Sequence, residues 1–164
     1  MSDCYRIVVC SDSHGDFFGL QRILQAQPRA DLYIHLGDGE RELEDICACY
    51  PDRRILFVAG NCDLGSSAPR YDTCGIGGKR IFYTHGHLFG VKGGIGGAVA
   101  AAEREGADIL LFGHTHQPFC SNDGNLLILN PGSLSGGSKG YRCGIIDIRD
   151  GQISAWNAEV SYGG

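Results

Sequence analysis

The sequence predicts an α/β fold in which two β-sheets pack face to face with helices on the outside. Two observations lead to this prediction: apolar runs alternate with helical segments in the first half of the chain, and strands joined by tight turns dominate the second half. The first pattern is typical of parallel strands and the second of antiparallel ones. With 164 residues, the chain has the size of one domain, so we expect residues 1–164 to form a single domain.

The first half has a strand-helix-strand-helix-strand pattern. Tyr5 to Cys10 is a short apolar run with β-branched residues, and the apolar residues from Phe17 to Leu24 recur at helical spacing before Pro28. The next elements are a strand at Leu32 to Leu36, a helix at Glu40 to Tyr50 and a strand at Ile55 to Val58. This order favours parallel strands joined by right-handed crossovers.

The second half begins with a change of rhythm after Pro69. Tyr71 to Ile76 and Lys79 to Thr84 flank Gly77-Gly78, which suits a two-residue hairpin turn. The later predicted elements are a helix at Ala98 to Arg104 stopped by Gly106, a buried strand at Asp108 to Phe112, and antiparallel runs such as Leu126 to Leu129 and Cys143 to Ile148, with turns at Asp123-Gly124 and Asp150-Gly151.

Composition excludes several function classes. The net charge of -5, without a block of like charge, disfavours a nucleic-acid surface, and the longest apolar stretches are too short to span a membrane. No signal peptide is visible, so the eight cysteines are expected to be reduced thiols in a cytoplasmic protein. Cys47 and Cys49 lack the spacing of a zinc knuckle.

Polar residues of the metal-binding type follow five of the predicted strands. A single Asp-x-His is more often a helix cap or a surface pair, but here such groups recur at successive strand ends, the edge where open α/β sheets bind ligands. The five groups are Ser11-Asp12-Ser13-His14, Gly37-Asp38, Gly60-Asn61-Cys62-Asp63, His85-Gly86-His87 and Gly113-His114-Thr115-His116.

The number of candidate ligands predicts two metal ions rather than one. A closed zinc site needs four ligands, whereas seven with one bridging carboxylate give four to each of two ions. Two ions about 3.5 to 4 Å apart can clamp the oxygens of a phosphoryl-transfer reaction. Mixed imidazole, carboxylate and amide ligands favour manganese here, with nickel, iron, cobalt or zinc as alternatives. The seven residues are Asp12, His14, Asp38, Asn61, His85, His114 and His116.

These groups resemble the ordered motifs D-x-H, G-D, G-N-x-D, H-x-H and G-H-x-H of the calcineurin-like metallophosphoesterases. The resemblance covers nearly the whole chain and is strongest to the small YfcE-type phosphodiesterases of bacteria and archaea, which have a loop similar to Asn130-Pro131-Gly132-Ser133. It implies a four-layer α-β-β-α sandwich of two mixed sheets. It also implies that the chain is a metal-dependent hydrolase of phosphate esters.

The resemblance further implies a role for each site residue. A hydroxide bridging the ions would attack phosphorus, with a pKa lowered by both ions. His87 would contact the substrate or a metal-bound water. Alternatively, it would hydrogen-bond to a metal ligand and hold that ligand in place. The first ion would be held by Asp12, His14 and His116, the second by Asn61, His85 and His114, and Asp38 would bridge them.

Cys62 departs from the G-N-H-D motif of many family members, in which the histidine assists the leaving group. A thiol is a poor substitute for imidazolium at neutral pH, so the general acid has no assigned residue. We therefore expect preference for leaving groups that need little protonation, such as aryl or phosphorylated ones. Cysteine is common here in the small phosphodiesterase branch, and Cys62 stays a candidate catalytic residue.

Two other functions compete with this interpretation. A retromer subunit of the same fold works mainly as a protein-binding scaffold, but its ligand set is incomplete, whereas all seven positions here carry competent ligands. A DNA nuclease would need a basic track, which the sequence lacks. A small phosphate ester is the expected partner, without nucleic acid or membrane, and homo-oligomerisation is an open alternative. The Gly93 to Gly97 segment, Asp63, Ser133, Lys92, Lys139 and Arg142 are weaker pocket candidates.

Overall fold

The computed structural model describes residues 3–163 and folds them into ten strands, three α-helices and one 3₁₀ turn. The strands are β1 (Cys4–Cys10), β2 (Leu32–His35), β3 (Ile55–Phe57), β4 (Tyr71–Ile76), β5 (Lys79–Thr84), β6 (Ile109–Leu111), β7 (Phe119–Asn122), β8 (Leu127–Asn130), β9 (Gly140–Arg149) and β10 (Gln152–Ser161). The helices are α1 (Phe17–Ala26), α2 (Glu40–Cys49) and α3 (Gly96–Arg104), and the 3₁₀ turn is His87–Phe89.

Two five-stranded sheets, with orders β10-β9-β1-β2-β3 and β4-β5-β6-β8-β7, form the centre of the molecule. The alternation of side chains along a strand sends Ile7 and Val9 into the core between the sheets and Val8 and Cys10 toward α1 and α2. On the far side, Phe82 and Leu110 pack with α3. The result is the α-β-β-α sandwich that the sequence predicts.

The division of strands between the sheets differs from their order in the chain. The last two strands return to the first sheet, where β9 pairs antiparallel with β1 from Cys4↔Arg149 to Val9↔Gly144. In the second sheet, β8 pairs antiparallel with β7 but parallel with β6. The antiparallel pattern predicted beyond Phe119 therefore holds for β7 with β8 and for β9 with β10, but β8 also has a parallel neighbour, which the sequence pattern did not indicate. The apolar pattern of a strand fixes its buried faces, but it does not specify which neighbour satisfies its backbone groups.

Glycines mark two of the element boundaries. Gly77 and Gly78, with φ of 58° and 77°, join β4 to β5 in the conformation of a type I′ hairpin. Helix α3 starts at Gly96, two residues before the predicted start, so Gly96 and Gly97 belong to the helix and not to the preceding loop. Within residues 3–163, no helix combines the length and apolar character required to cross a membrane.

Candidate metal centre

All seven predicted ligands converge on one edge of the sandwich. They lie in the segments that follow β1, β2, β3, β5 and β6, and each has a side-chain atom within 4 Å of another member. The parallel pairing of β1 with β2 and of β5 with β6 directs these strand ends the same way. The seven residues singled out in the sequence therefore lie together in the fold, and their role as ligands stays a prediction.

The first group consists of Asp12, His14 and His116. Oδ1 of Asp12 lies 3.7 Å from Nε2 of His14 and 3.2 Å from Nε2 of His116. Asp12 is only 1% exposed, and its Oδ1 is buried without a hydrogen bond from any described residue. Its Oδ2, in contrast, accepts from Ser11 Oγ and from the backbone of His114. An orphaned buried carboxylate oxygen is costly unless a cation contacts it, so this group fits a metal ion.

The second group consists of Asn61, His85 and His114. Nε2 of His85 lies 2.9 Å from Oδ1 of Asn61 and 3.1 Å from Nδ1 of His114. The other ring nitrogen of His85, Nδ1, lies 2.8 Å from the carbonyl of Leu36, which fixes the proton on Nδ1. Nε2 is thereby left with a lone pair directed at its neighbours, the orientation of a histidine that binds a metal.

Asp38 lies between the two groups. Its Oδ1 accepts a hydrogen bond from the backbone of Cys62 at 2.8 Å, while its Oδ2 lies 3.3 Å from Nε2 of His85 and 3.8 Å from Nε2 of His14. Burial raises the pKa of Asp38, but contact with the His85 ring and the hydrogen bond from the backbone of Cys62 outweigh burial and hold the pKa well below its usual range. The carboxylate is therefore ionised and positioned to contact cations on both sides.

The pKa values of His85 and His114 shift in opposite directions. Burial lowers the pKa of His85, but Asp38 and Asp12 more than compensate and raise it above its ordinary value. For His114, burial and then the neighbouring His85 lower the pKa. The carboxylates thus favour a cation near His85, while the imidazole of His114 stays neutral and able to act as a ligand.

The backbone of the centre is strained at the predicted ligands. Among residues 3–163, six non-glycine residues have positive φ, and five of them belong to the seven candidate ligands. Such a conformation costs of order 1 kcal/mol at each residue, and strain of this kind concentrates at functional sites. The strain in this structure therefore occurs at residues whose side chains form the candidate centre. The five are Asp12, His14, Asp38, His114 and His116, with φ between 43° and 68°.

Asp63 is a supporting residue that was predicted only to line the pocket or to cap a turn, but in the structure it connects two loops of the centre. Its carboxylate accepts hydrogen bonds from the backbone N–H groups of Asp38 (2.7 Å), Gly39 (3.0 Å), Glu40 (3.1 Å) and Gly60 (2.8 Å). It therefore ties the turn that carries Asp38 to the loop that carries Asn61, and it caps α2. The signal in the sequence was the acidic residue two positions after Asn61.

Asn130 is a second supporting residue, and it holds the turn that carries His114. Its Nδ2 donates to the carbonyl of Gly113 at 3.2 Å and to Oγ1 of Thr115 at 2.9 Å. Ser133, from the same loop, donates from Oγ to the carbonyl of Asp12 at 3.0 Å. The predicted Asn130-Pro131-Gly132-Ser133 loop thus supports the centre through the backbone.

His87 and Cys62 lie at the margin of the centre. The ring of His87 is 5.4 Å from that of His85, and burial, followed by the neighbouring His85, lowers the pKa of His87, so its ring is neutral. The exposed thiol of Cys62 has a pKa raised by its partial desolvation and by Asp38. A protonated thiol of high pKa is a weak acid, in agreement with the expectation that Cys62 does not replace an imidazolium.

A cavity of about 440 Å³ opens beside the first group. His14, Asp38 and Cys62 form its inner wall, and Leu64 contributes an apolar side. The start of α2 adds three acidic residues, Glu40, Glu42 and Glu44, and one cation, Arg41. A substrate that reaches the candidate ligands from this side would pass both a hydrophobic and a negatively charged surface.

His35 lies directly behind the centre and predicts a dependence of stability on pH. It is 2% exposed; the backbone of Gly37 donates to its Nδ1 (3.1 Å), so its Nε2 carries the proton and donates to Ser13 Oγ (2.9 Å). Burial lowers the pKa of His35 from 6.5 to about 4. The unfolded chain therefore binds this proton at a higher pH than the native chain, and native stability falls as the pH drops from 6.5 toward 4.

For metal-free protein, we expect His35 to reduce the free energy of unfolding by about 2 kcal/mol between pH 7 and pH 5. Urea unfolding at the two pH values measures this difference. The variant His35→Gln should be less stable at pH 7 but should lose this part of the pH dependence. An unchanged difference in the variant would assign the acid sensitivity to other groups.

Sequence comparisons place the chain among phosphoesterases. Residues 5–151 match the model of the calcineurin-like phosphoesterase superfamily domain. The probable metallophosphoesterase YsnB of Bacillus subtilis is 36% identical over 129 residues, which is 78% of this chain and 74% of that protein. The phosphodiesterase YfcE of Escherichia coli is 28% identical over 159 residues and covers 79% of both chains.

Structural comparisons agree with this result. The crystal structure of a predicted phosphoesterase from Streptococcus pneumoniae has a TM-score of 0.81 at 30% identity and covers 99% of this chain and 95% of that one. Vps29 of Entamoeba histolytica in complex with Zn²⁺ has a TM-score of 0.69 at 21% identity, with coverage of 95% and 99%. At that identity, the second likeness shows the fold alone.

Proposed function

The chain belongs to the calcineurin-like phosphoesterase superfamily, and from this premise we propose that it hydrolyses a phosphodiester or an activated phosphomonoester with two divalent metal ions. The observation that carries the proposal is the orphaned buried Oδ1 of Asp12 within the cluster of seven residues. Asp12, His14 and His116 would hold the first ion, Asn61, His85 and His114 the second, and Asp38 would contact both. Manganese is the expected ion.

The residues of the chain would act mainly by position and charge. When bound, the ions would supply Lewis acidity and an activated water for attack on phosphorus. Asp38 keeps its Oδ2 between the two groups because Cys62 and Asp63 fix the carboxylate and its backbone. The neutral ring of His87 lies close enough to His85 and His114, with ring centres 5.4 and 6.2 Å away, to orient a substrate oxygen at the edge of the centre.

The leaving group is the part of the substrate for which this centre offers least assistance. The weak acidity of Cys62 favours leaving groups that depart as stable anions, such as aryl oxides. At the start of α2 the wall of the cavity carries three glutamates against the single cation Arg41, and this excess of negative charge would disfavour a second phosphate, so an aryl group fits the cavity better than a phosphorylated one. The substrate is therefore expected to be an ester of limited negative charge.

The proposed activity is tested with bis-p-nitrophenyl phosphate and p-nitrophenyl phosphate. Protein freed of metal and reloaded with Mn²⁺ should release p-nitrophenol from the diester, and metal-free protein should not. The variant Asp45→Asn, an exposed change on α2, serves as the control and should retain full activity. No turnover of either ester with Mn²⁺, Ni²⁺ or Zn²⁺ would contradict the proposal.

The alternative function is that of a non-catalytic protein-binding scaffold. The structural likeness to Vps29, which extends over 95% of this chain, leaves this alternative open. The two functions differ in their dependence on the centre: a scaffold would bind its partner with Asp38 replaced, whereas hydrolysis would be lost. Lack of turnover together with stoichiometric capture of a partner protein by both wild type and Asp38→Asn would favour the scaffold.

A further inference from the structure

The thiol of Cys62 lies beside two of the candidate ligands. Its Sγ, a ring nitrogen of His14 and a carboxylate oxygen of Asp38 all lie within 4.8 Å of one another. The backbone N–H of Cys62 donates to Oδ1 of Asp38 at 2.8 Å, and Nδ2 of Asn61 lies 3.6 Å from the sulfur. These contacts hold the sulfur near the space that His14 and Asp38 share. The 440 Å³ cavity opens on the same side chains, so an ion from solvent can reach them.

We propose that Cys62 is a thiolate ligand for a divalent ion held by His14 and Asp38, and that it biases this position toward thiophilic ions such as Co²⁺, Zn²⁺ and Cd²⁺. This inference rests on the proposed function, because it requires ions in the centre. A second observation points to the same ion. Oδ1 of Asp12, buried and without a partner among the described residues, lies 3.7 Å from Nε2 of His14.

The chemistry of the ligand explains the expected bias. As the metal–sulfur bond forms, the S–H bond of Cys62 breaks and its proton passes to solvent, which adds one negative charge to the site. The seven other candidate ligands offer nitrogen and oxygen, which also suit manganese, whereas thiolate favours softer ions. Cys62 is thus the one member of this cluster that would separate the affinities for Cd²⁺ and Mn²⁺.

Cobalt provides a direct spectroscopic test. The full chain loaded with stoichiometric Co²⁺ should show thiolate-to-cobalt charge-transfer absorption in the near ultraviolet, and Cys62→Ser should lack it at equal cobalt content. Cys62 is exposed, so the variant is expected to fold. The matched control is Cys49→Ser, which removes an exposed thiol at the far end of α2 and should keep the band. Cobalt-loaded wild type without the band, or a band that persists in Cys62→Ser, would overturn the inference.

Competition between ions gives an independent measurement. Cys62→Ser should weaken Cd²⁺ binding at least about tenfold, a loss typical of a residue that supports a metal site, and should change Mn²⁺ affinity less than about twofold. Equal losses for both ions would contradict a specific sulfur ligand. Failure of the proposed hydrolysis is distinguishable, because metal-loaded wild type would then show the charge-transfer band without turnover.

Discussion

Asp38→Asn should reduce hydrolysis of bis-p-nitrophenyl phosphate more than about 10³-fold and should abolish the binding of two ions to one molecule. The carboxylate of Asp38 approaches His85 at 3.3 Å and His14 at 3.8 Å through the same oxygen, Oδ2. An amide of the same size removes the negative charge that would lie between two cations. The repulsion between the cations would then be compensated by Asp12 alone among the carboxylates of the centre.

Calorimetric titration with Mn²⁺ measures this loss, and the matched control is Asp45→Asn on the exposed face of α2. We expect two ions for the control and at most one for Asp38→Asn. The metal-free variant should still fold, because an asparagine oxygen can accept the hydrogen bond from the backbone of Cys62. Two ions bound by Asp38→Asn with unchanged affinity would show that this residue does not bridge them.

The sequence predicted most of the elements and the location of the centre because both depend on local patterns. A short apolar run with β-branched residues identified β1 as Tyr5 to Cys10, where the structure has Cys4–Cys10, and the predicted Glu40 to Tyr50 helix ends one residue earlier, at Cys49. The candidate ligands could be singled out because they come directly after apolar runs of this kind. Parallel strands bring the residues beyond their carboxyl ends to one edge of a sheet, so sequence order was sufficient to predict spatial proximity.

Three other features depend on contacts that the local pattern does not encode. The pairing of β9 with β1 joins residues as distant as Cys4 and Arg149, and any strand with two apolar faces would satisfy the same pattern. The positive φ of Asp12 and of His114 likewise has no sequence signature, because only surrounding contacts stabilise such a conformation in a residue with a side chain. Three of the four hydrogen bonds that the Asp63 carboxylate accepts from backbone N–H groups also join distant segments, so the local sequence does not predict them.

Gly60→Ala should prevent metal binding and lower the free energy of unfolding by about 3 kcal/mol, within the range for overpacking of a buried site. A Cβ at Gly60 would lie 2.1 Å from Oδ1 and 2.6 Å from the backbone nitrogen of Asp38. Neither segment can move aside easily, because the carboxylate of Asp63 holds the N–H groups of both Asp38 and Gly60. The new methyl group would therefore displace the carboxylate that we assign to both ions. Urea unfolding and calorimetric titration with Mn²⁺ measure the two effects.

Gly96→Ala is the matched control, because it adds the same methyl group at the first residue of α3, where nothing lies within 4 Å of the added atom. It should leave metal binding unchanged and raise the free energy of unfolding by roughly 0.5 to 1 kcal/mol, since alanine restricts the unfolded chain and favours the helix. The contrast isolates contact with Asp38 from the general effect of replacing glycine. If Gly60→Ala bound Mn²⁺ as tightly as Gly96→Ala, Asp38 could shift without loss of the site, and a fixed carboxylate would not be required for metal binding.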